Sequence, residues 1–162
     1  MATTTKAPAL GAEGWFTHDD PQPSLLGLRC TQCGTYVFPK ADFGCPNPAC
    51  FSTDFDEVRL TRFGKVWSYT DARYQPPAPY VVPTPEHEPF CIAAVELEAE
   101  GLVVMGQVVA GVGVEDLTVG QEMELVVDTL YVDSTDDGEV EYLIWKWQPV
   151  GTTAGTKTEG EA

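Results

Sequence analysis

Hydrophobic residues recur at every second position through much of the chain after Asp56, the period of strands that bury one face. Phe90–Leu97 and Leu102–Val109 are two such runs, joined by a tight turn at Glu98-Ala99-Glu100-Gly101. Glu122–Val132 carries Met123, Leu125 and Val127 in alternation. Asp136-Asp137-Gly138 then predicts a hairpin into a closing strand with Val140, Tyr142, Ile144 and Trp147. Upstream, Val58, Leu60, Phe63, Val66, Trp67 and Tyr69 predict one long strand from Asp56, interrupted at Gly64 by a bulge or sharp coil. Val114-Glu115-Asp116-Leu117 reads as a turn or one helical turn.

Between these runs the punctuation is strong. Gln75–Pro85 holds five prolines, which excludes strand or helix interior and predicts a long, stiff loop. Trp15–Leu28 reads as a short helix or an extended lead-in, and Cys30–Cys50 is too rich in Cys, Gly and Pro for a long element. The pattern predicts a mainly β protein: residues 1–14 a disordered N-terminus, 15–56 a lead-in and small cysteine-bearing unit, 57–150 a barrel, 151–162 a disordered tail. About five strands in roughly 90 residues, the first long and kinked, suit a five-stranded Greek-key barrel of the OB type; a small sandwich is the alternative.

Composition narrows the function. The chain has 162 residues, the length of one domain or one domain with an appendage, and 43% are hydrophobic, enough for a packed core. No apolar run approaches the ~20 residues of a membrane span. No secretory signal is recognisable at Met1–Leu10, so a cytoplasmic location is expected. The 25 acidic residues against 9 Lys plus Arg give a net charge of −16. A nucleic-acid binder needs a positive surface, and so does a protein that docks on anionic lipid; both roles are disfavoured. The acids are unevenly placed. Between Tyr74 and Trp145 there are 15 of them and no Lys or Arg, whereas Arg29, Lys40, Arg59, Arg62, Lys65 and Arg73 all lie earlier. Any anionic ligand must be held by the first half or its edge.

Four of the five cysteines form two close pairs, Cys30-Thr-Gln-Cys33 and Cys45-Pro-Asn-Pro-Ala-Cys50, eleven residues apart. Such pairs on two tight turns suit a tetrahedral four-thiolate zinc site, and Gly34 supplies the backbone freedom the first turn needs. With four thiolate ligands the zinc is closed off and structural, one ion per chain. Two disulfides are the alternative, opposed by the odd cysteine count. The second spacer, of four residues, is longer than a ribbon normally uses, and Pro46 and Pro48 bracket a turn able to absorb it. Cys91 reads as a small buried hydrophobe rather than a reactive thiol. His18 and His87 are the only histidines, and each reads as a surface residue, so no catalytic constellation emerges.

In combination these features resemble a known family. The residues that carry the likeness are Arg29-Cys30-x-x-Cys33-Gly34 with Phe38-Pro39, Cys45-x-Asn47-Pro48-x-Cys50, Phe63-Gly64-Lys65-Val66-Trp67-Ser68-Tyr69-Thr70, Glu88-Pro89-Phe90 leading to Val95-Glu96-Leu97, Leu117-x-Val119-Gly120-x-x-Met123, and Trp147-Gln148-Pro149. From about Leu25 to Val150 the chain resembles the rubredoxin-like zinc-ribbon plus OB-fold proteins, long catalogued as a domain of unknown function. The departure is the second cysteine spacing.

The resemblance implies a small N-terminal zinc ribbon followed by the OB-fold barrel. It also implies an accessory partner of thiolase-superfamily enzymes: thiolases, hydroxymethylglutaryl-CoA synthases and the lipid-transfer-protein-type aldolases that cleave steroid side chains. Such a subunit binds or shields an acyl-CoA while the catalytic residues sit on the partner. The expected role is therefore non-catalytic, beside a retro-aldolase first and a thiolase or synthase second, in a two-plus-two assembly. A pure scaffold without ligand contact is the remaining class. Candidate CoA contacts are Arg59, Arg62, Lys65 and Arg73 for the phosphates, with Trp67 or Tyr69 stacking on adenine; the alternative is that Arg59 and Arg62 only pair with Asp54, Asp56 or Glu57 nearby. Candidate docking residues are Trp15, Phe16, Tyr74, Tyr80, Val81 and Val82, with core packing the equal alternative for each aromatic.

Overall fold

The computed structural model describes residues 8–18, 21–77, 86–135 and 138–151. Among the described residues nine strands follow in chain order: β1 (Ala9–Leu10), β2 (Leu26–Cys30), β3 (Tyr36–Val37), β4 (Phe55–Arg59), β5 (Phe63–Ala72), β6 (Phe90–Leu97), β7 (Leu102–Val108), β8 (Glu122–Thr135) and β9 (Gly138–Pro149). They form two sheets. The small one is antiparallel, in the order β3-β2-β4; the large one runs β1-β9-β7-β6-β5-β8 and closes on itself through β8–β9 pairing.

Strands β5 to β9 are the five of an OB barrel, with β7 and β9 running parallel at the closure, Gln107 opposite Lys146 and Val108 opposite Trp147. Alternation dictates the interior. Cys91, Ala93, Val95 and Leu97 of β6 are buried, as are Val104 and Val108 of β7, Met123 and Leu125 of β8, and Trp147 of β9. Full burial of a Leu, Val or Met side chain stabilises by about 1.5–3 kcal/mol, so this inward set is what closes the sheet. A single turn of 3-10 helix, Val114–Asp116, lies between β7 and β8.

Three expectations are corrected. The long strand from Asp56 is two strands: β4 pairs with β2 in the ribbon, Leu26 opposite Arg59 to Cys30 opposite Phe55, and β5 opens the barrel. The ribbon thus runs to Arg59, and the chain changes sheet at Leu60, whose N–H bonds the Leu25 carbonyl. The bulge lies not at Gly64 but between Val66 and Ser68. Ala9 and Leu10, expected within a disordered terminus, pair in parallel with Tyr142 and Leu143, and the Gly11 N–H adds a bond to the Leu143 carbonyl.

The lead-in is extended rather than helical: Phe16 bridges Leu25, with N–H···O bonds from Thr17 to Ser24 and from Leu26 to Trp15. The hairpin expected at Asp136-Asp137-Gly138 is flanked by a paired Thr135 and Gly138, while Asp136 and Asp137 lie outside the described residues. So do residues 1–7, 152–162 and, from the proline-rich loop, 78–85. Among the described residues no helix is long and apolar enough to cross a membrane.

Candidate metal centre and functional surface

Two backbone knuckles bring the four cysteines together. The first follows β2: the Cys30 carbonyl accepts the Gly34 N–H at 2.9 Å, and Gly34 takes φ +76°, the left-handed region glycine enters without a steric cost. The second is closed by the Cys50 N–H on the Asn47 carbonyl at 2.9 Å, while the Asn47 side chain accepts the Ala49 N–H at 3.0 Å. This asparagine turn, inside the proline bracket, takes up the longer spacer. The Cys45 N–H bonds the Ser52 carbonyl and ties the knuckle to the strand-ward chain.

All five cysteines are free thiols, and the four knuckle sulfurs lie within 4.8 Å of one another. Cys30 and Cys50 sulfurs are 3.8 Å apart, Cys33 and Cys45 3.5 Å. A tetrahedron with Zn–S of about 2.3 Å has sulfur–sulfur edges of about 3.8 Å, so these two edges are close to those of a zinc tetrahedron and the four sulfurs form a donor set for one ion. Cys30 and Cys50 are buried and Cys33 is exposed. Hydrogen bonds from the Thr35 hydroxyl and then its backbone N–H pull the Cys33 thiol down to about 6. Cys50 also receives the Ser52 N–H, but burial and the three neighbouring thiols outweigh it and push it up to about 12. Four thiolates cannot share this space unneutralised; zinc supplies the charge that allows it.

The ribbon is welded to the barrel by aromatic rings. Trp145 of β9 is met edge-on by Phe16 at 5.7 Å and Phe38 at 5.8 Å and in a tilted contact by Trp15 at 6.1 Å. Phe16 is 2% exposed and belongs to the core, so it is not a docking residue; Trp15 is half-buried against Phe38 and Trp145. Of the other docking candidates, Tyr74 is 77% exposed, whereas Tyr80, Val81 and Val82 lie outside the described residues. Sequence reasoning missed Trp145; its signal was the Trp145-Lys146-Trp147 run in the closing strand.

The candidate CoA contacts lie on and around β4 and β5, and Arg62, Lys65 and Arg73 are engaged by carboxylates. Arg59 ends β4 on the ribbon sheet. Arg62 forms an ion pair with Glu124, donates from Nε to the Leu125 carbonyl at 3.1 Å and lies over the Phe63 ring, which makes it a brace between β5 and β8. Lys65 pairs with Glu98 at 3.0 Å, and Arg73 holds Asp71 from Nε and Nη2. Trp67 and Tyr69 do not share a face: Trp67 is 61% exposed at the bulge, whereas Tyr69 packs against the core.

The reasoning also missed Lys146. It is the one buried charged residue among those described, at 8% exposure, with Nζ donating to Asp128 and to the Thr129 carbonyl, both at 2.8 Å.

Comparison with known proteins agrees with this architecture. Residues 19–56 match the family model described as the ChsH2 rubredoxin-like zinc ribbon domain. A DUF35 domain-containing scaffold protein of Methanocaldococcus jannaschii is 34% identical over 135 residues, covering 83% of this chain and 88% of that protein. The benzoylsuccinyl-CoA thiolase subunit BbsA of Thauera aromatica is 42% identical over 53 residues, 33% of this chain and 35% of that subunit. Among solved structures, the Ltp2-ChsH2(DUF35) aldolase matches with a TM-score of 0.52 and 26% identity over 78% of this chain and 84% of that one. A thiolate ribbon joined to an OB barrel, shared with relatives along nearly the whole described length, places this chain in the DUF35 family of zinc-ribbon and OB-fold proteins.

Proposed function

We propose that this chain is a non-catalytic accessory subunit of a thiolase-superfamily enzyme, serving carbon–carbon cleavage of an acyl-CoA. The observation that carries the reading is the likeness, in sequence and in fold, to the DUF35 chain of an aldolase across most of its length. The chemistry of the chain supports it. Four of its five cysteines are metal ligands, Cys91 is buried, and His87 places Nε2 2.9 Å from the Ala72 carbonyl.

The reaction is a retro-aldol cleavage of a side-chain acyl-CoA of the steroid type, in a two-plus-two assembly in the cytoplasm. The DUF35 subunit shields the thioester arm and completes the partner's tunnel. The partner supplies most of the phosphate site, because Arg62, Lys65 and Arg73 are already tied to carboxylates. A second reading, thiolysis, is favoured by the match to thiolase subunits over a third of the chain.

Co-expression with each thiolase-superfamily enzyme of the source genome tests this. The expected result is one stable complex whose partner cleaves acyl-CoA only when this chain is present. Retro-aldol cleavage proceeds without free CoA, whereas thiolysis consumes one CoA per turnover, so product analysis with and without CoA separates the two readings. Turnover by this chain alone, or partner activity unaltered by its removal, rejects the proposal.

A further inference from the structure

The outer face of the first three barrel strands is unusually apolar for a molecule this acidic. Pairing registers place its residues in rows: Lys65–Glu96–Val103, Ser68–Ala94–Met105 and Thr70–Ile92–Gln107. Their neighbours Val66, Val95, Ala93 and Val104 are buried, so these rows point outward. The β-bulge alters the count on β5. Val66 points in, Trp67 and Ser68 both lie on the outer side, and Tyr69 returns to the core. Trp67, Val103 and Met105 are 61%, 46% and 66% exposed around a floor of Ser68 and Ala94. Val119, also exposed, sits in a loop bonded to Val66 from both sides, Val66 N–H to the Gln121 carbonyl and Gly120 N–H to the Val66 carbonyl.

The border of this face selects its occupant. At one end Lys65 is matched by Glu98, and Glu96 and Glu122 add further negative charge, enough that the three carboxylates hold the ammonium above its ordinary range. Each copy of the chain carries −16, so a second copy is repelled, and a phosphate backbone is repelled for the same reason. An apolar centre with an acidic border fits a protein surface with an apolar socket and Lys or Arg around it.

We propose that the Trp67–Ala94–Met105 face is the surface through which this chain docks its partner, and that the partner's contact patch is apolar at the centre and basic at the rim. This rests on the accessory-subunit reading, with the thiolase-superfamily enzyme as that partner. Trp67 and Met105 are the anchors, since exposed aromatic and thioether side chains gain most from being covered. Glu96 and Glu98 steer the encounter.

The test uses the full-length zinc-loaded chain and the enzyme identified by co-expression. Trp67→Ala and Met105→Glu are each expected to weaken the complex by at least about tenfold, mainly through faster dissociation, with zinc content and melting temperature unchanged. Glu96→Lys is expected to slow association and flatten its salt dependence. Phe51→Ala, on the exposed ribbon tip, serves as the control and leaves binding unchanged.

If the wild-type chain forms no complex with any candidate enzyme, the accessory-subunit reading falls and this face with it. If the complex forms but survives both Trp67→Ala and Met105→Glu, or is lost only in Phe51→Ala, the face is wrong while the reading stands. Tight binding of a labelled single-stranded oligonucleotide, or a dimer of the isolated chain, abolished by the same two variants, also overturns the assignment.

Discussion

Replacing Gly64 by alanine isolates close packing from backbone conformation. A Cβ at Gly64 would lie 2.5 Å from the Glu96 carbonyl oxygen, 2.6 Å from Val95 Cγ1 and 3.0 Å from Leu97 Cδ2. Ordinary carbon contacts sit at about 3.5–4.0 Å, so β6 must retreat from β5 by about 1 Å. Val95 and Leu97 are wholly buried and cannot swing away, and the Glu96 oxygen is backbone. Gly64 is not among the left-handed glycines, so alanine adds no torsional strain there.

Overpacking of this kind costs about 1–3 kcal/mol, offset by about 0.4–1 kcal/mol from a less flexible unfolded chain. The net destabilisation is about 1–2 kcal/mol, a fall in melting temperature of about 3–8 °C for a domain of this size. Thermal and urea unfolding of the zinc-loaded protein, followed by far-ultraviolet circular dichroism, measure it. Gly101 is the counter-case: φ +65° and nothing within 4 Å of a built Cβ. Alanine there costs about 1–2 kcal/mol from the left-handed torsion alone. Asparagine should recover part of that loss at 101 but do worse than alanine at 64. A Gly64→Ala protein that melts at or above wild type, or the same Ala-to-Asn ranking at both sites, would refute the packing argument.

Cys33→Ser should reduce bound zinc from one ion per chain to near none, read by metal analysis, with the tryptophan emission shifting to the red as Trp15 and Trp145 lose the ribbon rings around them. Loading zinc into metal-free protein at about pH 7.5 should release ~2–3 protons, because Cys50 sits near 12 and Cys45 is also raised, whereas Cys33 near 6 is already ionised; affinity therefore falls as pH falls, and proton release indistinguishable from zero in weak buffer would contradict this. Burial, with the charges of Asp71 and Glu115, pushes Cys91 up to about 11, so iodoacetamide at about pH 8 should alkylate it ~100-fold more slowly in the folded protein than in urea, and mass spectrometry finding equal rates would sink the idea. Asp128→Ala should destabilise by about 3 kcal/mol, leaving the Lys146 ammonium buried with only the Thr129 carbonyl, whereas Lys146→Met should cost nearer ~1 kcal/mol; urea midpoints in the opposite order would contradict the burial argument.

The metal site was legible because its chemistry is local. Cys30, Cys33, Cys45 and Cys50 each lie within a few residues of a partner, and thiolate spacing constrains geometry directly. The barrel was legible for a related reason: β6 alternates buried and partly exposed residues along its whole length, and a period of two is visible without knowing the pairing register, whereas the run of three buried residues Trp145, Lys146 and Trp147 in β9 breaks it. What the sequence hid depends on contacts between distant segments. Gly64 signalled a special backbone position, but a bulge and a close approach call for the same residue, and only the neighbouring strand distinguishes them. The change of sheet at Leu60 was invisible because β4 and β5 follow one another without a turn residue. The pairing of the cations was only partly legible, because Arg62 and Lys65 meet acids far along the chain, Glu124 and Glu98, while Arg73 meets its near neighbour Asp71. The sequence left Phe16 open between docking and core packing because nothing near it announces Trp145.

The ring cluster around Trp145 has a consequence for the order in which the molecule can be made. Trp15, Phe16 and Phe38 leave the ribosome early, yet the ring they enclose belongs to the last strand, and β1 also finds its pairing partner there. The nascent N-terminal third therefore has its four cysteines ready for metal long before its apolar side has anything to cover it. Contacts between chain ends close slowly because the intervening loop must first be brought together. During that interval the zinc knuckles are the one part of the segment able to hold a fixed shape, and the exposed rings beside them are what a chaperone would meet. Synthesis in a zinc-starved cell would remove that early foothold, so the yield of folded protein is expected to fall with metal supply.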